Sequence, residues 1–568
     1  DGFRKCLERE FSKIYVFNLR GNQRTSGELS RKEGGKIFGS GSRTPVSITI
    51  LVKHPIGYRQ NISSSRHPER SEGSSDVSKK ALDSSALPQN DVKNKAVIKY
   101  YDIGDYLTRE DKLRIIKETE SITHLQMVVL HPNEHGDWIN QRNAAFGKWT
   151  QIEPDKKFDV TSKSWFNTNV IGVVTNRDAW VSGFSKKEVS QKMQGMIAFY
   201  NDQLKEQSLS QDTRKISWTV NLKKDVERGV KHKFDEKFFV EECYRPFCKH
   251  NLYYNRGFVE RPGLWTQLFP SEEYENVVIC VSGVGQQKPF CAFITNGVSD
   301  LQVVDKAQCF PLYYYEKPEG NDLFASGDYV RKEAISDYIL KQARTQYSEP
   351  KIKKEDIFYY VYGFLHSEEY RTEFAADLKK MLPRIPLVDT ANEFWAFSKA
   401  GRKLAEIHLN YETAEPYRCL LVSSKSTSAD LPLFGMAAGE NRAFFSAEAP
   451  ETLFKVRQMR FAKMQVKASN GKLKTEDDKT RIVYNDKITV AKIPLEAYEY
   501  VVNGKSAIEW IMERYAVTTD KASGIVNDPN DWALEHNDPK YIFNLVLRII
   551  TVSLETMKIV KSLPKVKF

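Results

Sequence analysis

The chain has 568 residues, 40% of them apolar and 12% aromatic, which is ample for the packed cores of about three or four domains. Its 85 basic and 74 acidic residues leave a formal charge of +11, a mild excess that permits a polyanionic partner without demanding one. No apolar run approaches the roughly 18 residues of a membrane-spanning helix and no signal peptide opens the chain, so no membrane partner is expected.

In chain order, residues 3–12 spell a helix with Phe3, Leu7 and Phe11 on one face, and KIYVFNLRGN (13–22) spells a strand with a polar exit. The first residue is Asp1 and the helix begins at once, which leads us to expect a piece cut from a longer protein. Helix and strand together read as one α/β unit of a doubly wound sheet, whose working edge lies at the strand carboxyl ends. Residues 21–43 are glycine-rich and basic. Their FGSGSRTP lacks the Lys-Ser/Thr of a phosphate cradle and reads as part of a mobile loop between strands. SRTPVSITILVKHP (42–55) is a strand rich in β-branched residues. Residues 57–95 change abruptly to Ser, Lys, Asp and Pro without apolar periodicity, so disorder is expected there. SRHPERSEGSSD within them looks like a translated repeat inserted into a bacterial reading frame, and its removal with the rest of 60–94 is expected to leave folding intact. AVIKYYDIGDYLTREDKLRIIKE (96–118) resumes order with a short strand and a helix opened by Thr108, with Asp111 three residues on.

Further on, VIGVV reads as a buried strand ending at the polar turn TNRDAW, and residues 185–207 as a helix whose Met and Ile spacing marks a core face. DTRKISWTVNLKKDVERG (212–229) is basic and aromatic. After a β-rich continuation, residues 331–411 switch to helices in three segments: AISDYILKQARTQ, DIFYYVYGFLHSEEYRTEFAADLKKMLPRIP and ANEFWAFSKAGRKLAEIHLNYE. Residues 452–505 return to short strands. AIEWIMERYAV and a long terminal segment, PKYIFNLVLRIITVSLETMKIVKSL, close the chain as helices.

No nucleophile elbow, HExxH, Walker motif or acid/base carboxylate pair is present. The seven cysteines, at 6, 243, 248, 280, 291, 309 and 419, are odd in number and mostly inside apolar runs. They read as reduced, buried thiols of a cytoplasmic protein. Cys243 and Cys248 have no second pair at zinc-finger spacing. His131 and His135 have Pro132 between them and no third ligand. Asp225, Asp235 and Glu236, near Lys231 and Lys233, read as a solvated charged face rather than a nuclease cluster.

Residues 244–296 carry the richest signal. Arg245, Lys249, Arg256 and Arg261 alternate with Tyr253, Tyr254, Phe258 and Trp265, and two apolar runs flank SGVGQQK (282–288). Two readings stand. One is an aromatic β core with a polar hairpin tip. The other is a set of DNA-facing loops, in which Arg and Tyr supply charge, bidentate donors and stacking faces while the tip reaches bases or phosphates. Tyr359, Tyr360, Tyr362, Phe364 and Tyr370 offer stacking faces too, but their helical spacing among Leu and Phe favours helix packing. Lys379, Lys380 and Arg384 at the end of that segment are candidate phosphate contacts.

Three long segments carry a resemblance. They are IYVFNLRGNQRTSGELSRKEGGKIFGSGSRTPVSITILVK, IFYYVYGFLHSEEYRTEFAADLKKMLPRIP, and MRFAK with DKTRIVYNDKITVAKIPLEAYEYVVNGKSAIEWIMERYAV and NDPNDWA. They resemble the C-terminal part of Type ISP restriction-modification enzymes, in which one polypeptide joins a nuclease, a helicase-like translocase, an N6-adenine methyltransferase and a target-recognition domain. The resemblance covers nearly the whole chain outside 57–95. The family's glycine-rich cofactor loop and Asn-Pro-Pro-Tyr-type motif do not occur in this sequence, so no catalytic, cofactor-binding or metal-binding residue is carried over.

The resemblance implies an α/β + α+β fold. Residues 1–120 would be the C-terminal remnant of a doubly wound methyltransferase sheet, 121–330 a β-rich target-recognition part, 331–411 a helical platform, and 412–568 a C-terminal specificity part with closing helices. It implies sequence-specific recognition of double-stranded DNA. That recognition would direct S-adenosylmethionine-dependent N6-adenine methylation and ATP-dependent restriction by upstream nuclease, helicase and methyltransferase domains of the same polypeptide. S-adenosylmethionine, ATP and Mg would serve the full-length enzyme, with none bound by this part. Adenine methylation takes the base out of the stack, so a recognition domain must hold the duplex by phosphates and read the major groove. The candidate DNA contacts are Arg20, Asn22, Arg43, Arg245, Lys249, Asn251, Arg256, Arg261, Gln286, Gln287 and Lys288. The alternatives are an inactive truncated fragment, a non-catalytic DNA-binding module, and an independent enzyme with an unrecognised site.

Overall fold

The first strand buries side chains on both of its faces. Helix α1 (Gly2–Glu10) leads into β1 (Phe11–Asn18), in which Phe11, Ile14 and Phe17 are buried. β2 (Ser47–Lys53) runs antiparallel along one side of β1 and β3 (Val97–Asp102) parallel along the other, with β4 (Val128–Leu130) antiparallel beyond β3. All seven residues of β2 are exposed, and among the described residues it pairs with β1 alone. The computed structural model describes residues 2–24, 27–39, 41–53, 95–206, 208–318, 328–423, 451–467 and 473–568. Residues 57–94, expected to be disordered, lie outside them.

The connection from β1 to β2 departs from the mobile loop that its composition predicts. It contains a helix, α2 (Gly27–Glu33), and is held by the next helix, α3 (Arg109–Thr119). Lys112 of α3 is buried and donates to the carbonyls of Glu33 and Gly35 at 2.7 and 2.9 Å. Burial lowers the pKa of that ammonium. Gly35 N donates to the Leu107 carbonyl at 2.8 Å. A Cβ on Gly34 would come within 2.1 Å of that same oxygen. The glycines therefore serve a close approach of two backbones rather than freedom of the chain. α3 itself begins as expected: Asp111 N donates to Thr108 Oγ1 at 3.1 Å and Thr108 N to Asp111 Oδ2 at 3.2 Å.

Asp1–Arg142 and Asn143–Phe568 form two compact units. In the second, the strand Val278–Val281 is buried throughout and lies between Ala292–Thr295 and Gln308–Pro311, with Val170–Ile171 on the far side of the latter. The strand expected over VIGVV shrinks to its first two residues, Val170–Ile171, because Gly172 passes over another backbone. A Cβ there would sit 2.6 Å from Leu301 Cα. A second sheet runs in the order Val298–Ser299, Phe239–Arg245, Cys248–Tyr253, Ser182–Gly183. Helix Lys186–Gln203 turns Val189, Met193, Met196, Ile197 and Tyr200 into the core, as their spacing predicts.

The helical part contains Asp337–Tyr347, Lys354–Phe364 and Ala391–Leu409. The segment from 356 to 384 is broken further, into Glu368–Glu373 and Ala375–Lys380, because Ser367 starts a new helix by accepting from Tyr370 N at 3.3 Å. Tyr360, Tyr362, Phe364 and Tyr370 are fully buried, and Tyr359 lies under the Arg402 guanidinium at 4.3 Å. They pack helices. Lys354–Phe364 crosses Ala391–Leu409 at two glycines: a Cβ on Gly363 would lie 2.2 Å from Phe397 O, and one on Gly401 1.9 Å from Tyr359 O. A third sheet, ordered Leu420–Ser423, Ile488–Ala491, Leu473–Val483, Arg460–Lys467, follows. The terminal helix Tyr541–Lys561 packs on Ala507–Arg514 and Ala391–Leu409. Six of the seven cysteines are buried and Cys6 is exposed. Among the described residues no helix is long and apolar enough to cross a membrane.

Candidate nucleic-acid interface

The basic-aromatic stretch divides by chemistry. Its aromatics belong to the core: Tyr253, Phe258 and Trp265 are buried, Trp265 Nε1 donates to Ile171 O at 3.0 Å and Tyr254 Oη to Pro262 O at 2.7 Å. None of the four offers a free stacking face.

Three of its polar candidates are engaged internally. Arg245 donates to Asp300 Oδ1 at 2.6 Å, lies 4.0 Å from Asp178 and covers the Tyr244 ring at 3.9 Å. Burial pushes the Asp300 carboxyl up to about 6, against the pull of Arg245. Lys249 pairs with Glu412 at 2.8 Å and Glu241 at 3.2 Å. Asn251 Nδ2 donates to Phe184 O at 2.8 Å. Beside them lies a chain of polar groups that inspection of the sequence does not reveal. Ser182 Oγ donates to Glu242 Oε2 at 2.8 Å and lies 3.0 Å from His250 Nδ1. Burial raises Glu242 well above the carboxylate range and holds His250 well below its ordinary value. The set spans Ser182–Gly183, Phe239–Arg245 and Cys248–Tyr253. It ties three strands together.

Arg256 and Arg261 are exposed. Arg261 N and O bond to Val174 at 2.9 and 3.1 Å, and Asn221 Nδ2 donates to Glu260 O at 2.8 Å. Gly257 abuts the His232 ring: a Cβ added there would lie only 2.4 Å from Cε1. These contacts set the 254–262 loop against helix Val220–Glu227 and the turn after it, where Lys223, Lys224, Arg228, Lys231 and Lys233 are exposed. Two runs separated in sequence thus form one basic surface. Both runs were visible signals in the sequence, but their adjacency was not. Asp225, inside that run, bonds His232 at 3.0 Å.

The SGVGQQK tip is also mixed. Gln286 is buried, donating to Leu378 O at 2.9 Å, and so does not stand at the surface of the tip as a base-reading residue must. Gln287 is exposed, and Lys288 is half-buried, 5.7 Å over the Trp510 ring. Burial lowers the Lys288 pKa. Gly285 N donates to Lys379 O at 2.8 Å, which brings the tip beside exposed Lys379. Arg384 instead donates to Trp149 O at 2.8 Å. In the first unit, Arg20, Asn22 and Arg43 gather at the carboxyl end of β1. Arg20 pairs with Asp102 at 2.6 Å and with Asp105, Asn22 N donates to Glu33 Oε2 at 2.9 Å, and the carbonyl of exposed Arg43 accepts from Gln23 N at 3.0 Å.

Residues 164–545 match the family described as the Type ISP C-terminal specificity domain. Among solved structures, a nuclease-deletion mutant of the Type ISP restriction-modification enzyme LlaGI, in complex with a DNA substrate mimic, is 36% identical over 99% of this chain and 44% of its own, with a TM-score of 0.74. The ATP-dependent Type ISP restriction-modification enzyme LlaBIII, bound to DNA, is 31% identical over 99% of this chain and 32% of its own, with a TM-score of 0.75. The DrdV–DNA complex, 24% identical over 100% of this chain and 49% of its own, shares the fold at a TM-score of 0.74. This chain spans less than half the length of each of these relatives. No curated protein matches it. The chain belongs to the Type ISP restriction-modification family, and its residues 164–545 correspond to the C-terminal specificity domain.

Proposed function

We propose that this chain recognises a specific double-stranded DNA sequence for a restriction-modification enzyme. The observation that carries the reading is the likeness over 99% of the chain to Type ISP enzymes solved on DNA. The geometry supports a division of labour. Exposed Arg256 and Arg261, with Lys223, Lys224 and Arg228, are suited to phosphates, and Gln287 and Lys288, beside Lys379, to a second contact. Arg245, Lys249, Asn251 and Gln286 hold the scaffold that presents them. Arg20, Asn22 and Arg43 would face DNA from the first unit. That unit we read as the end of a methyltransferase sheet, and the exposure of β2 on both faces fits a sheet that continues.

In the whole protein, recognition would direct N6-adenine methylation with S-adenosylmethionine and ATP- and Mg-dependent restriction by other domains. The residues present do not fit those groups. The glycine-rich cofactor loop is missing from the sequence, and among the described residues no three His, Cys, Asp or Glu side chains converge as metal ligands. Neither chemistry is assigned to residues of this chain.

Fluorescence anisotropy of the chain on random-sequence duplex, titrated with salt, tests the reading. The logarithm of the binding constant is expected to fall linearly with the logarithm of salt concentration, and R256Q and R261Q each to reduce that slope by about one. Folded protein that binds no duplex at low salt would overturn it.

A further inference from the structure

The turn between strands Val278–Val281 and Ala292–Thr295 is pinned from two other segments. Gly283 N donates to Asp305 O at 2.9 Å, and Gln287 N to Asp305 Oδ2 at 2.6 Å. Lys306 Nζ donates to Val284 O at 3.1 Å and Gly285 O at 2.9 Å. From the helical side, Lys379 O accepts from Gly285 N at 2.8 Å. Gly285 has φ +73°, and a Cβ on Gly283 would meet Lys306 O at 2.3 Å, so both glycines are required by this one conformation.

A turn fixed so fully has its polar backbone directed inward, yet Val284 at its crest is 50% exposed and Gln287 is exposed beside it. Val284 contributes little to the core, because the flanking strands are already buried. Lys306 and Lys379 stand exposed on either side. Gln287 Nε2 donates to Gly285 O at 3.3 Å, which leaves its Oε1 and one N–H for a partner. A methyl-bearing side chain and that amide, beside exposed Lys379, match one feature of the major groove. An A·T pair presents the thymine methyl together with adenine N7 and N6, which a glutamine amide can bond in bidentate fashion. A turn already held in place loses little freedom on binding, so its contacts discriminate between bases without an ordering cost.

Resting on the DNA-recognition reading above, we infer that Val284 and Gln287 read an A·T base pair, with Asp305 and Lys306 as the positioning residues that hold them. The test is selection of binding sites from a randomised duplex pool by the complete chain and its variants, with melting temperature measured in parallel. The wild type should return a consensus. V284S and Q287A should fold normally and lose about tenfold discrimination at one A·T position. D305N and K306M should relax the same position, and K306R should restore it; a purely structural role would lower the melting temperature and leave the consensus intact. A wild-type consensus untouched by folded V284S and Q287A overturns the inference while DNA recognition stands. A wild type that returns no consensus overturns both.

Discussion

Arg245 and Arg256 belong to one basic stretch and are alike by composition, yet their surroundings give them opposite duties. Arg245 faces Asp300, a carboxylate whose side chain is 6% exposed. Removing the guanidinium leaves a buried charge without its partner. R245Q is therefore expected to lose about 3 kcal/mol of unfolding free energy, whereas R256Q, at the surface, should change it by less than about 0.5 kcal/mol. Urea unfolding of the two variants decides this, and equal stability would remove Arg245 from the scaffold. Lys112 presents a similar case in the first unit. It holds two carbonyls of the β1–β2 connection, so K112M should cost about 2 kcal/mol. It should also speed amide hydrogen exchange between residues 21 and 35. Unchanged exchange there would show that the connection holds itself.

At the scale of elements, glycine has two meanings in this chain. Gly401 lies in the middle of helix Ala391–Leu409 with the Tyr359 carbonyl against it, and Gly363 meets Phe397 O from the facing helix. G401A must push two helices apart, for a loss of about 3 kcal/mol. Gly195 is likewise mid-helix, in Lys186–Gln203, but nothing lies within 4 Å of where its Cβ would be. There G195A should stabilise by about 0.5–1 kcal/mol through helix propensity. Shifts of opposite sign in the denaturant midpoint are expected, and a neutral G401A would mean that the helices have room to separate at this crossing. The elements most legible in the sequence had a strong local cause. Thr108 with Asp111 announced a helix start, a short run with a polar exit announced β1, and a run rich in β-branched residues announced β2. VIGVV was legible as buried but not as a two-residue strand, because the feature that interrupts it, the Leu301 backbone under Gly172, lies far along the chain.

For the whole molecule, pH dependence sums contributions from several elements. His250, His366 and His408 are buried, and burial lowers all three, His408 to about 3 from an ordinary 6.5. A histidine kept neutral by the fold takes up a proton on unfolding. Its stabilisation is complete above pH 6.5 and is lost as pH falls toward the folded value, at about 1.4 kcal/mol per pH unit. Glu242 and Asp300 act in the opposite direction. Their raised folded values bind protons while the unfolded chain is still ionised, so acidification favours the fold through them. Burial also raises Glu153 and Asp531, so the carboxyls offset part of the histidine effect, and a net decline in stability is expected as pH falls from 6.5 toward about 5. H408Q should flatten the decline. A wild-type stability that rises on acidification would show that the carboxyls dominate.

By itself the sequence located the long helices and several of the strands and, through three long segments, the family. Those signals are local: a side-chain period, a cap, or a run of residues is complete within its own stretch. The candidate interface was only partly legible. Which basic residues are free to meet DNA was decided by tertiary structure, because a cation's availability depends on the carboxylate that folding brings to it. Arg245 and Asp300 are 55 residues apart in sequence and 2.6 Å apart in space. The same holds for the tip at 283–288, where glycines that read as a pliant turn are fixed by Asp305, Lys306 and Lys379. The character of such a loop is set by the neighbours that folding provides, and local composition does not encode them.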